Sequence, residues 1–354
     1  MAHIWLRSET RNSERRTGLT PLGASQLLAA GHKVTVEAFD DRVIPLANYQ
    51  AAGCDVAENQ SWPDAPRDAL IFGLKELPEG DAPLIHRHIM FGHAFKGQAD
   101  GPALLRRFRE GGGALYDLEY LTDENNRRLA AFGYWAGFAG AAMGVLCWLH
   151  QQEDGGPGPV SVGAYPGRDD LISALAPRLE QQADRPAMIV IGALGRVGSG
   201  ASALAQALGL PLTKWDMAET SHGGPFPEIL DHEIFVNCIL AGPGVPVFVP
   251  PTAKNADRKL RVIADVSCDP SSDYNPIPVY TSANSFTDPV TRVHANPPLD
   301  VTAIDNLPSM LPLESSEDYA RQLLPVLMQL DMMDDGPWGR ARAIFDDHLS
   351  RLEN

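Results

Sequence analysis

The stretch that most restricts the fold is "AMIVIGALGRVGSGASALAQALGLPLTKWD", Ala187 to Asp216. An apolar run, a turn holding Gly192, Gly195 and Gly198, a small-residue helix closed by Gly209, and a second apolar run ending at Asp216 spell a βαβ unit with parallel strands. The turn reads G-x-x-G-x-x-G, a variant of the G-x-G-x-x-G dinucleotide fingerprint. Glycines there let main chain approach a pyrophosphate, and the helix N-terminus offers open N–H groups and positive potential. Asp216 suits both ribose hydroxyls and repels a 2′-phosphate, which favours NAD over NADP, although Lys214 nearby acts against that preference. The plainer alternative is a tight strand-to-helix turn; a strand before, a helix after and an acid at the next strand's end favour the nucleotide.

The N-terminal third repeats the alternation. "HIWLRSE", "KVTVEAF", "ALIFGL", "HIMFGHA" and "ALYDLEYL" read as strands, and "GPALLRRFREGG" as a helix before the last of them. Thr20-Pro21 reads as a helix start and Gly31 as its stop. Such alternation predicts α/β architecture with parallel sheets, whose strand carboxyl ends form ligand crevices. Two of these strands run into titratable groups: "DALIFGLKELP" into Lys75, and "IMFGHAFKGQ" into His93 and Lys96. Taken singly, such a lysine is a solvated loop residue and such a histidine a structural one; whether they share one crevice for acid–base chemistry is left open by spacing alone. Further on, a helix is expected around Leu171–Ala183, strands in "EIFVNCIL" and "RVIADVS", and amphipathic helices at the end.

With 354 residues the chain is long enough for two domains. A formal net charge of −16 argues against broad nucleic-acid binding, and requires a locally basic pocket for any anionic substrate. Cys54, Cys147, Cys238 and Cys268 lie far apart without metal-type spacing, as expected of reduced thiols in a cytoplasmic protein. The N-terminal "MAHIWLRSETRNSERR" has no apolar stretch of signal-peptide type. From Ala130 to Leu149 the chain is apolar over a membrane-spanning length, with small residues paired at Gly133/Gly137 and Gly140/Gly144. Its Gly and Ala content and its isolation favour a helix packed on all sides, whose glycines admit another backbone.

A set of motifs, in order along nearly the whole chain, resembles the saccharopine dehydrogenases of the NAD-dependent, lysine-forming kind, relatives of alanine dehydrogenase and transhydrogenase. They are "LRSET", "ERRTGLTP", "SWPDAPRDALIFGLKELP", "HIMFGHAFKGQA", "GGALYDLEYL", "RRLAAFGYWAGFAGAAMGV", "IGALGRVGSGA", "KWDMAETSHGGPF", "DVSCDPSSDYNPIPVY" and "IDNLPSMLP". The resemblance implies two Rossmann-like domains joined by a crossover helix, with the active-site cleft between them. Residues 1–131 with 313–354 would form a discontinuous substrate domain, and 132–312 the NAD domain. It implies oxidation of saccharopine to lysine and 2-oxoglutarate in amino-acid metabolism, with NAD as cofactor and neither nucleic acid nor membrane as partner; a monomer is compatible with it. Lys75 would be the base that deprotonates the secondary amine, and His93 would serve imine hydration. Arg16, Lys96, Gln98 and Arg128 would bind carboxylates, Phe132 would line the pocket, and Ser267, Cys268 and Asp269 would approach the substrate. Glu76 and Glu119 would be acidic partners of the substrate's amines or of the neighbouring cations. To Asp216 and the glycines the resemblance adds Arg127, Arg196, Thr220, Val266, Ile304, Asp305, Asn306 and Leu307 around the cofactor.

The chain departs from that pattern at Val197, where some members carry a cysteine facing the position of Cys238, so no thiol switch is expected. It also departs at Asn306, in place of histidine, and at Leu240, in place of tyrosine. A dehydrogenase for another amino acid or opine, or a catalytically silent NAD-binding protein, are the competing readings.

Overall fold

Six short strands, β1 (His3–Leu6), β2 (Lys33–Glu37), β3 (Asp55–Ala57), β4 (Leu70–Phe72), β5 (Arg87–Met90) and β6 (Ala114–Asp117), pair in parallel in the order β3-β2-β1-β4-β5-β6. Every residue of β4 and β6 is buried, as expected where helices cover both faces of a parallel sheet. This is a computed structural model, and it describes residues 1–352 apart from Asn12 and Asp154. Helix α1 (Pro21–Ala29) starts where Thr20 accepts from Gly23 N at 3.2 Å. Helix α2 (Leu46–Ala51) follows β2, and α3 (Gly101–Gly111) ends on Gly112 in the left-handed region.

The chain then enters its second compact unit, Phe132–Pro312. This unit holds α4 (Gly133–Glu153), α5 (Arg168–Glu180), β7 (Met188–Ile191), α6 (Arg196–Ala207), β8 (Leu212–Trp215), α7 (Met217–Thr220), α8 (Pro227–Leu230), β9 (Ile234–Asn237), β10 (Val262–Asp265), β11 (Thr291–Ala295) and β12 (Pro298–Thr302). The sheet order is β11-β12-β10-β9-β7-β8, all pairs parallel except β11 with β12. Helices α9 (Pro312–Leu327) and α10 (Gly336–Ser350) belong with the first unit, Met1–Ala131 and Leu313–Asn354. There Trp338 and Phe345 of α10 meet Tyr116 and Phe108 edge to face, with ring centroids 5.7 and 5.5 Å apart.

The long apolar run forms α4, buried continuously from Gly137 to Leu149. Of its glycines, Gly137 admits another backbone, while Gly133, Gly140 and Gly144 face side chains. A Cβ on Gly137 would overlap the Val197 carbonyl oxygen of α6, and one on Gly200 of α6 would overlap the Tyr134 carbonyl oxygen of α4. The two helices therefore touch main chain to main chain. Among the described residues, no helix is long and apolar enough to cross a membrane.

Six elements went unread in the sequence, the single-turn helices α7 and α8 among them. Strand β3 and helix α2 are short and carry few apolar side chains; β11 and β12 form an antiparallel hairpin at the sheet edge. One boundary moves as well: β8 ends at Trp215, and Asp216 is the N-cap of α7, completing a capping box with Glu219.

Candidate active site

In an open α/β sheet, ligands gather where neighbouring strands lead off in opposite directions. In the first sheet that place is the β1/β4 pair. Lys75 lies three residues past β4 and is only 9% exposed. Burial, then Arg16 and Arg11, push its amine down from the usual lysine range, while Glu14 and Glu76 hold it up. Arg16 is bound to Glu14 through Nε–H···Oε1 at 2.8 Å and a terminal nitrogen to Oε2 at 2.6 Å, both side chains being buried. Burial raises the Glu14 carboxyl, yet Arg16 and Lys75 together hold it below the carboxylate range. Two of the Arg16 nitrogens are thus already committed to a carboxylate of the protein.

His93, past β5, has φ of 48°, a left-handed conformation of the kind that clusters at functional sites. Its Nδ1 bonds Glu76 Oε1. Burial raises Glu76, but the His93 bond, its own main chain, and the His93 and Lys75 charges bring it down to about 2. Past β6, Glu119 accepts from Lys96 Nζ at 2.6 Å and from Arg128. Gln98 Oε1 accepts from Lys96 N at 2.8 Å. Asp117 takes Gly92 N at 3.1 Å and Glu119 N at 2.9 Å, tying the loop of His93 to that of Glu119. Burial pushes its carboxyl up to about 6 against those bonds. Lys75, His93, Arg16, Lys96, Gln98 and Arg128 therefore ring the strand ends of one sheet. Arg127 is exposed on the same unit, its N–H bonded to Asp123.

The nucleotide features lie in the second unit. Gly192 has φ of +85°, and a Cβ on Gly198 would overlap the Gly192 carbonyl oxygen, so both glycines are required by the turn. Helix α6 has Gly195 as its N-cap and no side-chain cap, leaving its first N–H groups open beside exposed Arg196. Asp216 accepts from Leu194 N at 3.0 Å and Met217 N at 2.9 Å, which locks the turn to the end of β8. This bare glycine cradle with an acid at its side fits a dinucleotide. In the first unit the equivalent acid, Glu37 at the end of β2, is fully buried and spent on Trp5, Ser8 and Gln60.

Of the remaining second-unit residues, Thr220 is buried and donates to the Asp216 carbonyl at 3.0 Å. Buried Asp265 accepts from Ser267 Oγ at 2.7 Å, Asn237 at 2.9 Å and Tyr280 at 2.7 Å, fixing the turn that carries Ser267, Cys268 and exposed Asp269. Cys268 has φ of 51° and a thiol pushed up to about 12, chiefly by burial. Val266 and Leu307 both approach Gly140 of α4. Ile304 and Leu307 are core residues; Asp305 is exposed, and Asn306 Nδ2 donates to Ser309 Oγ at 2.7 Å. Phe132 is half-buried at the start of this unit.

Residues 5–139 match the family model described as alanine dehydrogenase/PNT, N-terminal domain. Over 364 residues the chain is 46% identical to the NAD(+), L-lysine-forming saccharopine dehydrogenase of Yarrowia lipolytica, an alignment covering 99% of this chain and 98% of that one. The protein of the same name from Candida albicans is 44% identical over 373 residues, with the same coverage. The chain belongs to the saccharopine dehydrogenase family. Among solved structures, an L-alanine dehydrogenase superimposes with a TM-score of 0.66 at 18% identity, over 99% of this chain and 94% of that one, which is a likeness of fold.

For a saccharopine dehydrogenase, the groups that sequence reasoning passed over are the buried carboxylates behind the site: Glu9, Glu14 and Asp117. Glu9 and Glu14 stand in the polar stretch "RSETRNSE", where a carboxylate reads as solvated surface, and Asp117 ends the apolar strand β6. The available signal was position, since each follows or ends a strand of the sheet.

Proposed function

We propose that the chain catalyses NAD-dependent oxidation of saccharopine to lysine and 2-oxoglutarate. The observation that carries this reading is Lys75, a buried amine whose pKa is lowered by desolvation and two arginines, at the switch point of a sheet in a chain of this family. Such an amine is suited to take the proton of a secondary ammonium, which must leave before the adjacent carbon can give up hydride. Bound NAD supplies the acceptor for that hydride, and Gly192, Gly195, Gly198, Arg196 and Asp216 are the residues that would hold it. His93 would then move protons as water adds to the substrate imine and the carbinolamine collapses. Because ionised Glu76 only accepts, it fixes the proton on His93 Nδ1 and leaves Nε2 as the working nitrogen.

Arg16, Lys96 and Arg128, with Gln98, would meet the substrate carboxylates. Glu14 and Glu119 hold these cations in place, and a carboxylate arriving there would share or displace those partners. Phe132 and the Ser267–Asp269 turn would complete the substrate contacts; Arg127, Thr220, Val266 and Ile304–Leu307 would complete the cofactor's. Lys75→Met tests the assignment: saccharopine turnover should vanish while NAD binding persists. Turnover at the parental rate would remove Lys75 from the mechanism.

A further inference from the structure

The residues that follow β1, Arg7, Ser8 and Glu9, are 2%, 0% and 7% exposed, so three consecutive polar side chains are buried. Glu9 Oε1 accepts from Leu74 N at 2.7 Å, and its Oε2 from Lys75 N at 3.0 Å. Arg7 donates one terminal nitrogen to the Lys75 carbonyl oxygen. Its other terminal nitrogen reaches Glu9 Oε2 at 3.3 Å and Ser8 O at 2.9 Å. One buried ion pair therefore grips Lys75 by both its N–H and its C=O. The grip depends on Gly73, where a Cβ would overlap the Arg7 guanidinium. Ser8 is anchored in turn, its N–H and Oγ both 2.8 Å from Glu37.

Buried ion pairs are weak contributors to stability, so one on the main chain of a single residue calls for another role. Its place gives that role: it fixes the point from which the Lys75 side chain departs. The charges acting on the Lys75 amine are a different set, Arg16, Glu14, Arg11 and Glu76. We propose that Arg7 and Glu9 are positioning residues that clamp the Lys75 main chain and so aim its amine at the proton it removes. The proposal rests on Lys75 being the base.

The test compares Glu9→Gln, Arg7→Lys and Gly73→Ala in the full-length protein. Gly73→Ala leaves every titratable group in place and only displaces the Arg7 fork. Misplacing a catalytic group by about 1 Å costs on the order of 100-fold. The expected result is a kcat lower by about 10- to 100-fold, with the saccharopine KM within about threefold and the acid limb of the pH–rate profile unmoved. Ethylamine added to Lys75→Ala supplies a base that no main chain holds, so Glu9→Gln should leave the restored rate unchanged. NAD binding and the unfolding midpoint report folding, and a variant that fails them is replaced by the other two. Variants that bind NAD normally and keep kcat within about twofold would overturn the clamp. So would a Glu9→Gln loss of equal size in the amine-restored rate, which would mark general damage. Parental turnover in Lys75→Met would remove the reading of Lys75 itself, and the clamp with it.

Discussion

The imidazole Nδ1 of His93 is hydrogen-bonded to the Glu76 carboxylate, and the residue beside Glu76 is Lys75. One side chain therefore acts on both members of the proposed acid–base pair. Glu76 holds the Lys75 amine up against burial and two arginines. Glu76→Gln removes that support, so the amine falls further and stays unprotonated to lower pH. The acid limb of saccharopine oxidation should move to lower pH, as read from kcat/KM against pH. A limb that stays put or moves up would contradict this.

Glu14 and Arg16 form a bidentate ion pair at 0% and 3% side-chain exposure. Removing one partner strands the other charge away from water. Glu14→Ala should lower the unfolding free energy by about 3–5 kcal/mol, measured by denaturant titration. Since Glu14 lies below the usual carboxylate range, its contribution is present above its unfolded value of 4.5 and is lost as pH falls below it. A loss under about 1 kcal/mol would show that water reaches the pair.

Gly137 and Gly200 are the points at which α4 and α6 touch through their backbones. Either residue changed to Ala forces the helices apart, with no flexible side chain to give way. The second unit should lose about 3 kcal/mol or more. Because α6 carries the glycine cradle, NAD affinity, measured by fluorescence titration, should fall with it. Gly144→Ala is the control, since its Cβ would meet side-chain atoms alone, the Ile234 methyl at 3.0 Å and the Ala264 Cβ at 3.6 Å.

The glycine cradle, the parallel sheets and the buried nature of α4 were legible because each rests on a pattern of residue types: spaced glycines, apolar runs between turns, and a Gly/Ala-rich stretch with few large side chains. The edge hairpin β11–β12 was not, because "TRVHA" and "PLDVT" mix polar and apolar residues without a sustained alternation. In the site, Lys75 and His93 stood out at strand ends. Arg7, Glu9 and Glu14 did not, since only three-dimensional packing turns "LRSETRNSERR" into a buried network. From sequence Asp216 reads as the last residue of a strand, and its capping of α7 appears only once the chain turns there.

Asp117 supplies a pH signature of a different sign. Its carboxyl is raised from 3.8 to about 6 by burial. Between those values the folded protein holds a proton that the unfolded chain has released, so stability from this group falls as pH rises through the window, by about 3 kcal/mol in all. Asp117→Asn should flatten the pH dependence of unfolding across that window. An unchanged slope would place the titration elsewhere.

The most direct measurement of the reaction is NADH formation by the purified protein with saccharopine, run beside NADH consumption with lysine and 2-oxoglutarate, with alanine, glutamate and other opines as controls and NADP replacing NAD in parallel. The expected result is turnover in both directions with saccharopine and its two products, and preference for NAD through Asp216. A folded, NAD-binding protein that is silent with saccharopine would contradict it, and turnover of another amine instead would keep the fold and overturn the substrate.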